Sequence, residues 1–297
     1  FLHSYSNPAH EIAARDAIRA AVPGMDVVIS SEVWPQESEF ERATLAVLNA
    51  FVKPVMSSYL AEVEDFLRRE VPEARLFVAK SNGGGMSAAA ARDFPVHTLL
   101  SGPAAGVTAT RFLGEITGLD GLLTMDMGGT STDMSLVKGG RSITSSGSEV
   151  GEFPLNLPVT TIEAMGAGGG SIIWTDKEVL RVGPRSSGAR PGPACYGRGG
   201  TLPTLSDAYL LCGYLGDSLV GGDLVLDRTA ATNAFGTLSD ALNVPPAEAA
   251  VHAITVATAT MMARALPFLA RLGEDPQQLT LVLFGGAGSI HGPLLAQ

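Results

Sequence analysis

The stretch LLTMDMGGTSTD, residues 122–133, decides the fold prediction. Residues 122–126 have the apolar character of a buried strand, and a second apolar run follows the glycine pair at residues 134–137. The loop therefore joins two strands, whereas a P-loop or a Rossmann turn joins a strand to a helix. Neither GxxxxGK[ST] nor GxGxxG occurs in this segment. The sequence predicts a strand–loop–strand unit with glycines at its tip.

The loop between these two strands carries the residue types of a phosphate and metal site. Two adjacent glycines let backbone N–H groups close around phosphate oxygens as an anion nest, and hydroxyl side chains add donors. A carboxylate beside a triphosphate suits Mg²⁺ or the water molecules around it. The candidate residues are Asp126, Gly128, Gly129, Thr130, Thr132 and Asp133. A tight hairpin with Asp at its turn is the alternative, and the loop alone does not separate the two interpretations.

Two further glycine clusters enter other elements. Residues 166–171 read GAGGGS and lead into the apolar residues 172–174. Residues 281–291 read LVLFGGAGSIH, which predicts an apolar strand, a glycine turn and the start of a helix. Bare backbone at the pair Gly285 and Gly286 would let a flat adenine ring lie against the chain. For each cluster taken singly, a turn that merely needs glycine is the favoured interpretation.

Helical and strand patterns alternate along the rest of the chain. Helices are predicted over Ala9–Ala21 and residues 104–113, and short strands over residues 26–30 and 76–79. Apolar spacing over residues 48–67 forms a strong helical stripe, in which Pro54 predicts a kink or a break. Because strands separated by helices favour parallel pairing, we expect an α/β fold with a mostly parallel sheet.

Composition excludes several functional classes. The 297 residues carry a net charge of −10, so the chain lacks the basic surface that nucleic acid or an anionic membrane requires. No uninterrupted apolar run approaches the length of a membrane helix. The two cysteines, Cys195 and Cys212, form no CxxC pair, which fits a reducing compartment. We therefore expect a cytoplasmic protein that binds neither nucleic acid nor membrane.

Several motifs together resemble the hydantoinase A/5-oxoprolinase family, which is similar in fold to the actin, hexokinase and heat-shock-70 ATPases. The motifs span nearly the whole chain in family order, and their joint occurrence is highly specific. They are LHSY and NPAHE within residues 2–11, SNGG at 81–84, SGPAAGV at 101–107, DMGGTSTD at 126–133, GAGGGSI at 166–172, PGPACYG at 191–197, and FGGAG with His291 in 284–291. The resemblance implies an α/β ATPase fold of mixed sheets flanked by helices.

The resemblance also implies roles for the matching residues. The second phosphate loop of this fold would be formed by Gly128, Gly129, Thr130 and Thr132. Asp126 would lie near Mg²⁺. Asp133, from the residues of the loop itself, is predicted to be a second catalytic carboxylate. The adenosine motif would be formed by Gly285, Gly286 and Gly288. The helix after Pro103 would cross between the two lobes of the fold.

Family members open a cyclic amide, such as a hydantoin, 5-oxoproline or a lactam, by spending ATP. The amide oxygen is phosphorylated, and a hydantoinase B-type subunit or domain completes the hydrolysis. Related members carboxylate ketones by the same logic. The resemblance therefore implies ATP and Mg²⁺ as cofactors, a B-type partner and a cyclic amide substrate, and a homo-oligomer is compatible with it.

The chain departs from the family pattern in two places. Family chains carry an earlier phosphate loop of the Asp-Gly-Gly-Thr type, which does not occur here, and the chain begins without Met. We therefore expect a piece of a longer polypeptide that is inactive alone, with residues 1–105 as the remainder of the first lobe and 106–297 as the second. An Asp-x-His often precedes the GAGGGS cluster in the family, whereas Thr161 and Glu163 stand here.

Other reactive side chains are assigned structural roles. His10-Glu11 does not form a zinc helix, because Ala14 replaces the second histidine of HExxH. Cys195 has no His or acid beside it in sequence, so we expect a rigid loop thiol rather than a nucleophile. Asp207 is predicted to be the N-cap of a helix. His252, in an Ala-rich helix, is predicted to be structural.

Three functions stay open on the sequence alone. The chain is predicted to be the ATP-binding part of a cyclic amidase. Its shared motifs also fit a subunit of an ATP-dependent ketone carboxylase, which assays with and without bicarbonate would distinguish. A non-catalytic nucleotide-binding module is the third possibility, because the first phosphate loop is missing.

Overall fold

The computed structural model describes residues 1–145, 148–150, 153–177 and 179–296. The α-helices are α1 (Ala9–Ala21), α2 (Ser30–Val33), α3 (Glu39–Glu70), α4 (Ala88–Asp93), α5 (Ser101–Thr117), α6 (Leu205–Leu211), α7 (Arg228–Ala234), α8 (Gly236–Leu242), α9 (Pro246–Leu272) and α10 (Gly288–Leu295). The strands are β1 (Phe77–Ala79), β2 (Gly85–Ser87), β3 (Leu122–Met127), β4 (Thr132–Lys138), β5 (Arg141–Ser142), β6 (Thr144–Ser145), β7 (Ser148–Val150), β8 (Phe153–Leu155), β9 (Val159–Thr160), β10 (Glu163–Met165), β11 (Ser171–Asp176), β12 (Val179–Ser186), β13 (Ser218–Leu219), β14 (Leu224–Val225) and β15 (Thr280–Phe284). The predicted α/β class is confirmed.

The chain divides into two compact units. Unit 1 comprises Phe1–Thr108 and Ile143–Thr161, and unit 2 comprises Ala109–Ser142 and Ile162–Gln297. The lobe division at residues 105 and 106 stays a prediction. It placed residues 143–161 with the second lobe, whereas they pack into unit 1.

Unit 1 is organised around α3, which runs through Pro54 as one helix instead of breaking there. Its inner face contributes Leu45 to a small apolar core, whose buried members are Val33, Leu45, Val96, Leu155, Leu157 and Val159. The predicted strand at residues 26–30 does not form. Ile29 has the extended angles of a strand, but no described strand pairs with this segment, and α2 starts at Ser30.

Unit 2 contains the main sheet, in the order β10-β4-β3-β15, with β5 also pairing with β4. The expectation of a mostly parallel sheet is wrong. β3 and β4 pair antiparallel, as do β4 and β10, whereas β15 pairs parallel to β3. The reason is local: the loop at Gly128 is too short for a crossover helix, so the chain reverses in a hairpin.

The long helix α9 closes one side of the unit 2 core. Nine of its residues are buried, and small side chains such as Ala253 and Ala257 let its neighbours approach closely. By length and composition alone this helix is also long and apolar enough to cross a membrane, although Arg264 interrupts its apolar run. A buried core helix passes the same test, so the feature is weak evidence for a membrane.

A buried carboxylate holds the start of α6. Thr204 is the N-cap and Asp207 is the third helical residue, so the two form a capping box, and the predicted N-cap role of Asp207 is wrong by one turn. The fully buried Asp207 accepts hydrogen bonds from the backbone N–H of Cys195 at 2.7 Å and of Thr204 at 2.8 Å. It also accepts from the Thr204 hydroxyl at 2.7 Å and the Ala194 N–H at 3.3 Å. This side chain therefore joins the 194–195 loop to the helix.

Replacing Asp207 by Ala is expected to lower the free energy of unfolding by at least about 3 kcal/mol, because several buried donors lose their acceptor at once. Urea unfolding followed by circular dichroism measures the change. Asp227→Ala is the matched control, since Asp227 is an exposed N-cap of α7 whose loss costs about 1 kcal/mol. Equal losses in the two variants would contradict the bridging role.

His291 connects three helices of unit 2 through its two ring nitrogens. It is fully buried on α10; Nδ1 lies 2.8 Å from the Tyr209 hydroxyl, and Nε2 lies 3.2 Å from Thr258 Oγ1. Because the Thr258 hydroxyl already donates to the Ile254 carbonyl, Thr258 Oγ1 accepts from Nε2–H and Tyr209 donates to Nδ1. Burial lowers the pKa of His291 to about 4.

Because of His291, the free energy of unfolding is expected to decrease as the pH decreases. Since its folded pKa lies below the unfolded value, its contribution is complete above about pH 6.5 and is lost as the pH falls towards 4. The full loss is about 3 kcal/mol. Unfolding at pH 7 and pH 4.5 should show a smaller pH dependence in His291→Asn, whose Oδ1 still accepts from Tyr209. An unchanged difference between the two pH values would count against the assignment.

Candidate nucleotide site

The predicted strand–loop–strand unit forms an antiparallel hairpin. Strands β3 and β4 pair from Leu122 opposite Val137 up to Met127 opposite Thr132, and residues 128–131 make the turn. The N–H of Gly128 donates to the Ser131 carbonyl at 3.0 Å and closes this turn. The glycines are therefore placed at the exposed tip of a hairpin whose stem is buried.

The tip of the hairpin offers backbone donors. Among the described residues, the N–H groups of Gly129, Thr130 and Ser131 have no intramolecular acceptor. Gly129 and Thr130 are exposed, and Ser131 is half-buried. Consecutive unsatisfied N–H groups in a turn have the arrangement that binds an anion.

Two carboxylates lie side by side at the base of this tip. Asp126 and Asp133 are cross-strand partners on β3 and β4, so their side chains project from the same face of the sheet. Burial raises the pKa of Asp126. Burial, together with the charge of Asp126, raises the pKa of Asp133. A bound cation would offset the cost of ionising these two partly buried carboxylates, and oxygen ligands suit Mg²⁺.

The third glycine cluster lies directly against Asp126. Strand β15 is parallel to β3 with Phe284 opposite Asp126, and the chain then turns at Gly285 with φ +80°. A Cβ at Gly285 would fall 2.4 Å from Asp126 Oδ1 and 2.5 Å from the Met127 carbonyl oxygen. The Ala287 N–H donates to the same Met127 carbonyl at 2.9 Å. The turn before α10 is thus docked onto the base of the hairpin.

Gly286 and Gly288, the other two glycines of that cluster, differ in the space around them. A Cβ at Gly286 would meet nothing within 4 Å, so open space adjoins its backbone. Gly288 is buried at the first position of α10, and a Cβ there would lie 3.4 Å from the Met125 carbonyl oxygen. Open space at Gly286 and close packing at Gly288 are both compatible with the adenosine motif, whose assignment stays a prediction.

The GAGGGS cluster, for which a simple turn seemed the better explanation, packs along the hairpin tip. The N–H of Gly169 donates to the Gly128 carbonyl at 2.9 Å, and that of Gly170 donates to the Gly129 carbonyl at 2.6 Å. A Cβ at Gly168 would fall 2.7 Å from the backbone of Thr130. The three glycine clusters therefore meet at one place, which no single cluster indicated.

The structure gives Thr132 a different role from the one predicted. Its side chain is fully buried, and its hydroxyl donates to the Ala167 carbonyl at 2.5 Å. A hydroxyl held in this way cannot face a phosphate, so Thr132 positions the GAGGGS cluster instead. Thr130, which is exposed at the tip, remains the candidate hydroxyl donor.

The remaining candidate side chains do not join the site. Glu163, on β10, pairs with Arg271 at 2.7 Å and is half-buried. Cys195 is fully buried, and burial followed by the charge of Asp207 raises its pKa, as expected of an unreactive thiol. His10 and His252 are exposed on α1 and α9. No group of three or more potential His, Cys, Asp or Glu ligands occurs in the part of the chain that the structure describes.

Comparison with known proteins gives a consistent result. A sequence model of the hydantoinase/oxoprolinase family matches residues 42–297. The chain is 38% identical over 300 residues to the caprolactamase subunit alpha of Pseudomonas jessenii, covering all of this chain and 43% of that subunit. The chain thus spans less than half the length of this relative.

Two solved structures are similar over essentially the whole chain. The crystal structure of the ATP-dependent caprolactamase from Pseudomonas jessenii superposes with a TM-score of 0.77 and 37% identity, over 99% of this chain and 43% of that one. The nucleotide-free structure of acetone carboxylase, from a study of ATP-dependent acetone carboxylation, superposes with a TM-score of 0.87 and 26% identity, over 100% of this chain and 42% of that one.

Proposed function

Because the chain belongs to the hydantoinase/oxoprolinase family, we propose that it is the ATP-binding part of an enzyme that opens a cyclic amide. The observation that carries the proposal is the meeting of three glycine clusters around a pair of carboxylates. The caprolactamase relative, which covers the whole chain at 38% identity, supports the reaction class.

Each part of the site has a task in this proposal. The N–H groups of Gly129, Thr130 and Ser131 bind phosphate oxygens, and the turn at Gly286 accepts the adenosine. Asp126 and Asp133 hold Mg²⁺, which would neutralise charge on the phosphates. Because the hairpin is fixed by β15 and by the GAGGGS cluster, these donors are in place before the nucleotide arrives, and preorganised donors are the effective ones.

The proposed chemistry explains why ATP is spent. A cyclic amide resists attack by water because its nitrogen delocalises electrons into the carbonyl group. The amide oxygen attacks the γ-phosphorus of ATP, the bond to ADP breaks, and an imidate phosphate forms. Water then adds to the imidate carbon, and the C–N bond of the ring opens to leave an amine and an acyl phosphate. A second water hydrolyses the acyl phosphate to a carboxylate and inorganic phosphate. We propose that a B-type subunit or domain completes this second stage.

Ketone carboxylation is the second candidate, favoured by the likeness to acetone carboxylase. One assay separates the two functions. The complete assembly is supplied with Mg·ATP and either caprolactam, 5-oxoproline or a hydantoin, or acetone or acetophenone with bicarbonate. ADP release together with a ring-opened product by mass spectrometry is expected from the amides. If ADP were released only with the ketones, and only in the presence of bicarbonate, the second candidate would replace the proposal.

Replacing Gly286 by Val is expected to weaken ATP binding about 10-fold while pyrophosphate binding stays unchanged. The branched side chain would enter the open space where the adenine ring is proposed to lie, away from the phosphate donors. Calorimetric titration of both ligands measures the difference, with circular dichroism as a check of folding. A parallel loss of both ligands in a folded variant would argue against an adenosine pocket at this turn.

A further inference from the structure

The outer face of α3 is apolar along most of its length. Six large side chains on this helix are exposed to between 54% and 80%. They are Phe40, Val47, Phe51, Val55, Tyr59 and Phe66. We call this set the α3 stripe. Its members recur at intervals of four and seven residues, so they share one side of the helix, opposite the buried Leu45, Asn49 and Leu60.

The middle of this face carries no charge. From Ala43 to Ala61, the exposed residues of α3 are Ala43, Val47, Ala50, Phe51, Pro54, Val55, Ser58, Tyr59 and Ala61. Charged residues are instead placed at the two ends of the helix. The first turn has Glu39 and Glu41, and the last part has charged residues of both signs, namely Glu62, Glu64, Asp65, Arg68, Arg69 and Glu70. An uncharged apolar face with a polar rim is typical of a protein–protein interface.

The α3 stripe is symmetric about residue 53. Phe51 and Val55 lie two residues on either side of this position, Val47 and Tyr59 lie six, and Phe40 and Phe66 lie thirteen. A two-fold axis through the stripe therefore brings these residues together as antiparallel pairs. Two of the three pairs join a large to a small side chain, which lets the two helices approach each other.

We propose that α3 pairs with α3 of a second copy of this chain, antiparallel, about a two-fold axis between Phe51 and Val55. A two-fold interface needs one patch that is complementary to itself, and the register above supplies it. This proposal does not depend on the proposed reaction.

The exposed area is adequate for a stable dimer. The four aromatic side chains, of about 150–250 Å² each, together expose roughly 400–650 Å². The two valines and the small residues between them add to this surface. The sum approaches the ~800 Å² per partner of a standard interface. A transient interface would need much less apolar surface than the α3 stripe offers.

Sedimentation velocity on the 297-residue chain between 1 and 100 µM tests the proposal, and a monomer–dimer equilibrium is expected. Val55→Glu should raise the dissociation constant about 1000-fold, because a hot-spot loss of about 30-fold occurs twice in a two-fold interface. Val225→Glu is the matched control, since Val225 is an equally exposed valine in unit 2, and it should leave the dimer intact. A monomer at 100 µM would overturn the proposal.

Disulfide trapping tests the register. In the variant carrying both Val47→Cys and Tyr59→Cys, oxidation should give a covalent dimer, because these positions face each other across the axis. Each single variant should cross-link poorly, since twelve residues of helix separate identical positions by about 18 Å. All variants keep Cys195 and Cys212, so background oxidation is the same. Single variants that cross-link as well as the double variant would show a parallel or non-specific contact and reject the antiparallel pair.

Discussion

Replacing Asp126 by Asn is expected to lower ATP turnover by the complete assembly about 10²–10³-fold, with little loss of stability. The carboxylate stands at the end of β3, beside the three free N–H groups of the hairpin tip and against the turn at Gly285. Burial raises its pKa, so the charge of Asp126 is maintained at a cost that a bound cation would offset. Asn keeps the shape of the side chain and removes that charge.

The measurement is steady-state ADP release at saturating substrate, with the Mg²⁺ concentration varied. The loss should appear mainly in kcat and should be partly offset at high Mg²⁺. Asp240→Asn is the matched control, because Asp240 is an exposed carboxylate of the same unit outside the site. If Asp126→Asn turned over ATP like the control, the metal assignment would be wrong.

The hairpin could be predicted from sequence because its evidence is local. Apolar runs on both sides of Gly128 and Gly129 can only be paired by reversing the chain, so residues 122–137 define their own geometry. The strand and helix around Gly285 follow from the same kind of contrast between apolar and glycine-rich segments. Both predictions are confirmed by β3, β4, β15 and α10.

The predictions that failed depend on partners that lie far along the chain. The sequence allowed the Thr132 hydroxyl to donate to a phosphate. In the structure it donates to the carbonyl of Ala167, far along the chain. The GAGGGS cluster gave no sign of its partner, because a glycine that is needed for close approach looks like one needed for a turn. The segment at residues 26–30 has strand composition, yet strand formation also needs a neighbour to pair with.

Replacing Gly285 by Ala is expected to lower ATP turnover at least about 100-fold, although only one methyl group is added. The new Cβ would lie 2.4 Å from Asp126 Oδ1 and 2.5 Å from the Met127 carbonyl oxygen, so the carboxylate or the turn must move. Ala would also be strained at this position, because the backbone φ is +80°. A displacement of about 1 Å at a reacting group is enough for a loss of this size.

The neighbouring glycine supplies the control that distinguishes displacement of Asp126 from general disruption of the turn. Gly286→Ala adds the same methyl group one residue later, where it meets nothing within 4 Å. This variant should retain turnover within about 3-fold, whereas Gly285→Ala should lose both turnover and the response to Mg²⁺ while remaining folded by circular dichroism. Equal activity of the two variants would mean that the contact between this turn and Asp126 has no part in catalysis. An equal loss in both would mean that the turn tolerates no side chain at all, and the specific role of Asp126 would then rest on its own variant alone.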